Sequence, residues 1–229
     1  MRLVVGLILL AVIGVGVATT LAGIPFGAPK TNIGDHYVDN ARDETGATNV
    51  VTSIVVGYRA FDTLGEVTVL FVAALGLGAV LAAAGGKSGR SGVEPASLIL
   101  RVGNAFLFPL ILLFGAYIFI HGHLTPGGGF QGGAIIASAF LLVYLSSPGR
   151  RISRAGARAT ESLGGLVFVA VGLLGLTLGT HHFLANFLPT GTLNTLLSAG
   201  IIPIIYCAIG LKVGSELAGV VDNLVEETE

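Results

Sequence analysis

The chain has 229 residues, of which 53% are hydrophobic and 11% are charged. An average soluble domain carries about 25% charged residues, so this composition excludes an ordinary soluble domain and favours an integral membrane protein. The net charge of -1 gives no indication of a nucleic-acid partner, and a single cysteine excludes an internal disulfide and a cysteine metal cluster.

The first predicted span, Met1 to Ala22, begins with one basic residue, Arg2, and continues as an unbroken apolar run. Its length, about twenty residues, exceeds the roughly 7–15 of a signal-peptide core, so a retained helix is favoured over a cleaved signal. Residues 23–49 are polar and are expected to form an exposed loop. A second span over 67–84 follows, and charged side chains run into its start.

Four further spans follow a Gly/Ser-rich linker at 85–94. They are predicted over 96–120, 134–145, 162–184 and 194–211. The sequence therefore predicts an all-α, polytopic membrane protein with about six transmembrane helices, divided into a two-helix segment, 1–90, and a four-helix domain, 91–229.

Basic residues predict the orientation, because Lys and Arg are enriched in cytoplasmic loops. With six spans, Arg2, the linker, the four-arginine loop at 146–160 and Lys212 all fall on one side. This side is expected to be cytoplasmic, with both termini there, in the cell membrane. Lys212 and Glu216 are expected to pair near that surface in a structural role, so that no lysine occupies a helix centre.

Arg59, Asp62 and Glu66 are spaced so that all three share one face of a helix. A carboxylate inside a membrane costs roughly 2.5–3.5 kcal/mol and is rarely placed there without a partner or a use. Glu66 is therefore a candidate cation- or proton-binding group, with Arg59 as its natural partner. The alternative is a buried salt bridge that fixes a helix against a neighbouring subunit.

A polar insert, His121 to Gly133, joins the third and fourth spans. His121 and His123 are candidates for proton relay in a loop or broken helix, or else interfacial residues bonded to carbonyls; they make a weak metal site. The glycines lack the Lys-Ser/Thr ending of a phosphate-binding loop. Two interpretations remain: Gly129 and Gly133 form a flat face for helix packing, or the glycine backbone lines an aqueous cavity.

The stretch 122–133, Gly-His-Leu-Thr-Pro-Gly-Gly-Gly-Phe-Gln-Gly-Gly, resembles the signature of the B subunit of Mrp-type multisubunit Na+/H+ antiporters, the MnhB domain. This resemblance covers roughly Ala96 to the C-terminal region. Residues 49–70, with Tyr58-Arg-Ala-Phe-Asp-Thr-Leu-Gly-Glu66, separately resemble the C-terminal, E-type part of the large Mrp protein MrpA. Ala60 departs from the glycine expected in that pattern. The chain thus resembles a fusion of an E-like and a B-like piece.

The resemblance implies a non-enzymatic membrane subunit of a cation/proton antiporter, with other membrane subunits as partners, no cofactor, and Na+ and H+ as transported ions. Related small subunits occur in membrane-bound hydrogenases, so a sodium-pumping module of a redox complex is an alternative, and an assembly scaffold is another. We hypothesise that Glu66 takes the ion, that Arg59 and Asp62 set its affinity, and that His123 shapes the outer path. The motif positions are Pro126, Gly127, Gly128, Gly129, Phe130, Gln131 and Gly133.

Overall fold

Helices and no strands make up the regular structure in the part of the chain that the computed structural model describes, residues 2–23, 33–84, 96–147, 150–179 and 182–228. Six of its helices are long and apolar enough to cross a membrane, which confirms the predicted fold class. Helices are expected, because a spanning segment has to satisfy its backbone hydrogen bonds internally. The predicted linker at 85–94 lies outside the described residues.

The helices are numbered in chain order. They are α1 (Arg2–Ala22), α2 (Ile33–Thr45), α3 (Val50–Thr52), α4 (Ala60–Ala84), α5 (Leu98–Ile120), α6 (Gly129–Ser146), α7 (Arg154–Leu178) and α8 (Ile202–Thr228), with a π-helical turn at Ser53–Tyr58 between α3 and α4.

The chain divides into two compact units, residues 1–35 and 36–229. The first unit contains α1, a helix of 21 residues. At 1.5 Å per residue it is about 31 Å long, which matches the roughly 30 Å hydrocarbon layer of a bilayer.

In the second unit, α8 is the central helix and packs against α4, α5, α6 and α7. Its side chains Ile205, Ile209 and Val213 are fully buried. One end of the bundle, called the histidine end, contains residues 121–128, and α4, α6 and α8 begin at this end. The opposite end, called the arginine end, contains residues 150–158, and α7 begins there.

Glycines bring the helices together. A Cβ on Gly133 would lie 2.8 Å from the Val213 Cβ and 2.9 Å from the Gly214 nitrogen, and one on Gly129 would lie 2.6 Å from the Ile209 Cβ. Likewise, a Cβ on Gly164 of α7 would lie 2.6 Å from the Ala208 carbonyl oxygen of α8. Such contacts are typical of membrane bundles, where close packing replaces the hydrophobic effect between helices.

Several predicted boundaries are wrong. Residues 33–45 form α2 rather than an exposed loop, and Ala41 and Thr45 of this helix are buried. Helix α6 begins at Gly129, inside the predicted insert, and α7 ends at Leu178.

The last span is displaced furthest from its prediction. Residues 194–201 are not helical, because positive φ angles at Asn194 and Ala199 are incompatible with a right-handed helix. Helix α8 starts at Ile202 and its span runs to Val225, so Lys212 lies near the middle of a span and not at its cytoplasmic end.

We predict that Gly133→Ala destabilises the bundle by about 1–3 kcal/mol, because the added methyl group overpacks the α6–α8 contact. Gly103 of α5 is the matched control, since a Cβ there meets no atom within 4 Å. Gly103→Ala should leave stability unchanged or raise it slightly. Thermal unfolding of the purified chain in detergent measures both, and equal shifts would contradict the packing argument.

Candidate functional site

The polar insert is held against two distant parts of the chain. The Asn49 side-chain amide donates to the carbonyl oxygens of Gly122, at 2.9 Å, and Thr125, at 3.0 Å. The Asn49 backbone N–H donates to the His123 carbonyl at 3.0 Å. These bonds satisfy carbonyl groups that the turn after α5 leaves without helical partners.

A second chain of bonds reaches α8. The Thr52 hydroxyl donates to the Gly122 carbonyl at 2.6 Å, and the Tyr206 hydroxyl donates to Thr52 at 3.0 Å. A Cβ on Gly122 would lie 2.6 Å from the Tyr206 ring, so this position accepts only glycine. Gly127, with φ +155, has a backbone conformation that favours glycine. The glycines therefore let the insert close over the start of α8.

The two histidines lie in different environments. His123 is fully buried, its Nε2 is 3.4 Å from the Thr195 carbonyl, and its Nδ1 has no hydrogen-bond partner among the described residues. Burial lowers the pKa of His123, so the imidazole is neutral at pH 7. His121 is half-buried, and its ring stacks on Tyr117 with centroids 4.3 Å apart. The structure thus packs His123 in the protein and leaves His121 near the surface.

The charged group at the start of α4 is arranged differently from the prediction. Arg59 ends the π-helical turn and precedes α4, so it does not share a helix face with Glu66. The Arg59 Nε donates instead to the Asp62 Oδ2 at 2.7 Å. The expected pairing of Arg59 with Glu66 is therefore wrong, because the turn directs the guanidinium toward Asp62.

Glu66 lies one turn further along α4, within the span Ala60–Ala83. Its side chain is exposed and makes no hydrogen bond or ion pair with the described residues. Thr63 and Val67, on the adjoining side of α4, are buried in the bundle. Glu66 and Asp62 therefore point away from the chain's own core.

Lys212 and Glu216 form a buried ion pair that the sequence reasoning assigned to the membrane surface. The Lys212 Nζ lies 2.8 Å from the Glu216 Oε2, and the two side chains are 10% and 2% exposed. Both groups stand near the centre of the bundle, on α8. The pairing predicted from their i,i+4 spacing is confirmed, and the predicted location at the membrane surface is wrong.

A second buried carboxylate lies at the arginine end. Asp222 has a side chain that is 5% exposed, and it is 3.4 Å from the Arg151 Nη1 and 3.4 Å from the Arg154 Nε. Two arginines of the four-arginine loop are thereby tied to the end of α8. The basic loop predicted from the sequence therefore holds the end of α8 through these two ion pairs.

Two protein families match this chain, one in each part of the sequence. Residues 99–219 match the family described as the domain related to the MnhB component of Na+/H+ antiporter. The chain belongs to this MnhB-related family. Residues 1–84 match a second family, MbhE, which is the E component of MBH.

Solved structures share the whole fold. A chain of the membrane-bound sulfane sulfur reductase (MBS), described as an archaeal respiratory membrane complex, is 46% identical, with a TM-score of 0.77 and 98% of both chains covered. A chain of the Mrp complex from a Dietzia species is 29% identical, with a TM-score of 0.71, and the match covers 97% of this chain and 26% of that one.

A sequence relative in Rhizobium meliloti, the probable A/B component of a K+/H+ antiporter, is 31% identical over 175 residues. The match covers 63% of this chain and 17% of that protein. This chain therefore corresponds to a small part of the larger antiporter protein, and the six-helix architecture recurs within multisubunit membrane complexes.

We predict that Asn49→Ala loosens the insert at a cost of about 1–3 kcal/mol, because the Thr125 carbonyl loses its side-chain donor and the Gly122 carbonyl keeps only that of Thr52. The matched control is Asn40→Ala, since the Asn40 amide bonds to His36 at an exposed turn of α2. Hydrogen–deuterium exchange at the amides of Leu124 and Thr125 measures the effect. Unchanged protection in Asn49→Ala would show that the side chain does not hold the insert.

Proposed function

We propose that this chain is a non-enzymatic membrane subunit of a multisubunit cation/proton antiporter, and that Glu66 is its ion-handling carboxylate. The observation that carries the proposal is the placement of Glu66, which is exposed and without a described partner inside a membrane span. A carboxylate facing lipid there would cost roughly 2.5–3.5 kcal/mol. The outward face of α4 is thus a contact surface for a neighbouring protein of the complex or for water.

The neighbouring charges suit a shared ion site. Because Arg59 is engaged by Asp62, the Glu66 carboxylate keeps both oxygens for a proton or a hard cation such as Na+. The Arg59–Asp62 pair adds little net charge beside it. Both oxygens then remain available to groups of the neighbouring protein.

The insert positions this group. The segment that carries Asn49 and Thr52 is bonded to the insert and leads through the π-helical turn directly into α4. Buried Thr63 then donates to the Val55 carbonyl at 2.7 Å, which locks the turn onto α4. In this proposal His123 and the glycine motif act by holding the start of α4, and the transported ions need no cofactor. The arginine end faces the cytoplasm by the excess of basic residues there.

We predict that Glu66→Gln in the assembled complex reduces cation/proton exchange by about a hundredfold while assembly stays normal, because the amide cannot carry a proton. The measurement is pH-gradient dissipation by everted vesicles on addition of Na+ or K+. Asp39→Asn, an exposed carboxylate of α2 outside the spans, is the control and should keep full activity. Normal exchange in Glu66→Gln would remove this residue from the mechanism.

A second candidate is a subunit of a redox-driven respiratory complex. It is favoured by the 46% identity over 98% of both chains to a chain of the sulfane sulfur reductase. Affinity purification of the complex from its native membrane decides between the two. Co-purifying antiporter subunits alone support the antiporter, whereas iron–sulfur or nickel–iron subunits support the respiratory complex.

A further inference from the structure

The structure contains a cleft at the arginine end that the proposed ion site on α4 does not use. It lies between α4, α7 and α8 and has a volume of about 360 Å³. One water molecule occupies about 30 Å³ in the liquid, so the cleft holds many. Along the helix axes it extends from Ala79, Arg154 and Asn223, near the arginine end, to Phe71, Glu161 and Glu216, further into the bundle.

The walls of this cleft differ in polarity. The lining residues from α4 are all apolar, whereas the α7 and α8 walls carry its charged side chains. These charged groups are Arg154, Arg158, Glu161, Glu216 and Asp222. A lipid chain in the cleft would leave several charges facing hydrocarbon, at a cost of several kcal/mol, so water is the occupant that its chemistry favours.

Glu216, in the wall of this cleft, has one carboxylate oxygen in an ion pair and one without a described partner. Its Oε2 is bonded to the Lys212 ammonium at 2.8 Å, but its Oε1 is buried without a hydrogen-bond partner among the described residues. A buried carboxylate oxygen without a donor is costly. Adding a proton to that oxygen, or a water beside it, removes the cost.

The Lys212 ammonium has a second partner besides Glu216. Its Nζ lies 5.2 Å from the centroid of the Phe71 ring, within the range of a cation–π interaction. The ammonium therefore keeps a partner after the ion pair is broken. The same ammonium repels Na+ from the Glu216 oxygens, so the ligand that fits this site is a proton.

We propose that Glu216 is a proton-loading site on the wall of a hydrated cleft that extends from the arginine end into the bundle. In the loading step a hydronium ion of the cleft transfers its proton to the Glu216 carboxylate. The products are one water and a neutral carboxylic acid, and Lys212 keeps its own proton and its contact with Phe71. Two charged groups face Glu216, Lys212 on α8 and Glu161 on α7. The other charged groups of the cleft lie toward the arginine end and are Arg154, Arg158 and Asp222.

This inference rests on the proposed transport function and adds a second carboxylate to it. Glu66 faces outward near the histidine end, and Glu216 faces the cleft in the other half of the bundle. By their positions in α4 and α8, Glu66 lies about 9 Å and Glu216 about 21 Å along the helix axis from the helix start. The two carboxylates serve different depths of the membrane.

The first test measures hydration of the cleft in the intact complex, in a Cys207→Ala background. Ala74→Cys places a thiol in the cleft, and Leu166→Cys on α7 is the control, since Leu166 is exposed at a similar depth but does not line the cleft. The probe is the membrane-impermeant reagent trimethylammonium-ethyl methanethiosulfonate, applied to each side of sealed vesicles. We expect Ala74→Cys to react at least about tenfold faster, from one side only, because thiolate forms in water. Equal rates would overturn the hydrated cleft without involving any Glu216 variant.

The second test detects the protonated carboxyl group directly. Dicyclohexylcarbodiimide attacks protonated buried carboxyl groups, and mass spectrometry of the complex locates the adduct. We expect modification at Glu216 to rise as the pH falls and to be absent in Glu216→Gln. Constant modification across pH, or protection by Na+ at fixed ionic strength, would overturn the assignment of a proton.

Exchange measurements separate this inference from the proposed function. We expect Glu216→Gln to lower exchange by about a hundredfold and Glu216→Asp to restore part of it. Normal exchange in Glu216→Gln together with lost exchange in Glu66→Gln would overturn the loading site and leave the proposed function standing. Normal exchange in Glu66→Gln alone would overturn the role of Glu66, and the labelling of Ala74→Cys and of Glu216 would still decide whether the cleft is hydrated and Glu216 takes a proton.

Discussion

Neutralisation of charge inside an apolar bundle is the constraint on which this structure depends. Helix α8 carries Lys212, Glu216 and Asp222 within one span, and each is buried. Removing one partner of such a pair costs about 3–5 kcal/mol, because the other charge is left alone in a poor solvent. The Lys212–Glu216 bond and the two arginines around Asp222 therefore allow α8 to occupy the centre of the bundle.

Close packing around α8 follows from this central position. Glycines on α6 and α7 remove the side chains that would separate these helices from it, as at Gly133 and Gly164. At the histidine end, the same small residues let the insert fold over Tyr206. The glycine motif of the insert therefore forms a turn and also allows close packing. Its carbonyl groups bind the segment with Asn49 and Thr52, which leads into α4.

Hydropathy alone was enough to predict the helical class and the six spans, because a bilayer demands long apolar helices. It was not enough for α8: the pairing of Lys212 with Glu216 was predicted, but hydropathy ends the apolar run before them and therefore placed the pair at the membrane surface. The arrangement of Arg59 depends on a π-helical turn that no residue pattern marks. Likewise, a spacing of two residues does not reveal that His123 turns inward and His121 outward, because the path of the turn decides it.

Helix α4 carries Glu66 and also contacts the ion pair that contains Glu216. Glu66 lies on its outward face, and Phe71, five residues later, contacts Lys212 from the other side. Five residues turn a helix by about 140°, so these side chains stand nearly opposite each other. A shift of α4 therefore changes the surroundings of Glu66 and the cation contact of Lys212 together. Because Lys212 in turn bonds to Glu216, one helix connects an outward-facing carboxylate with the proposed proton-loading site, without any bond between the two carboxylates.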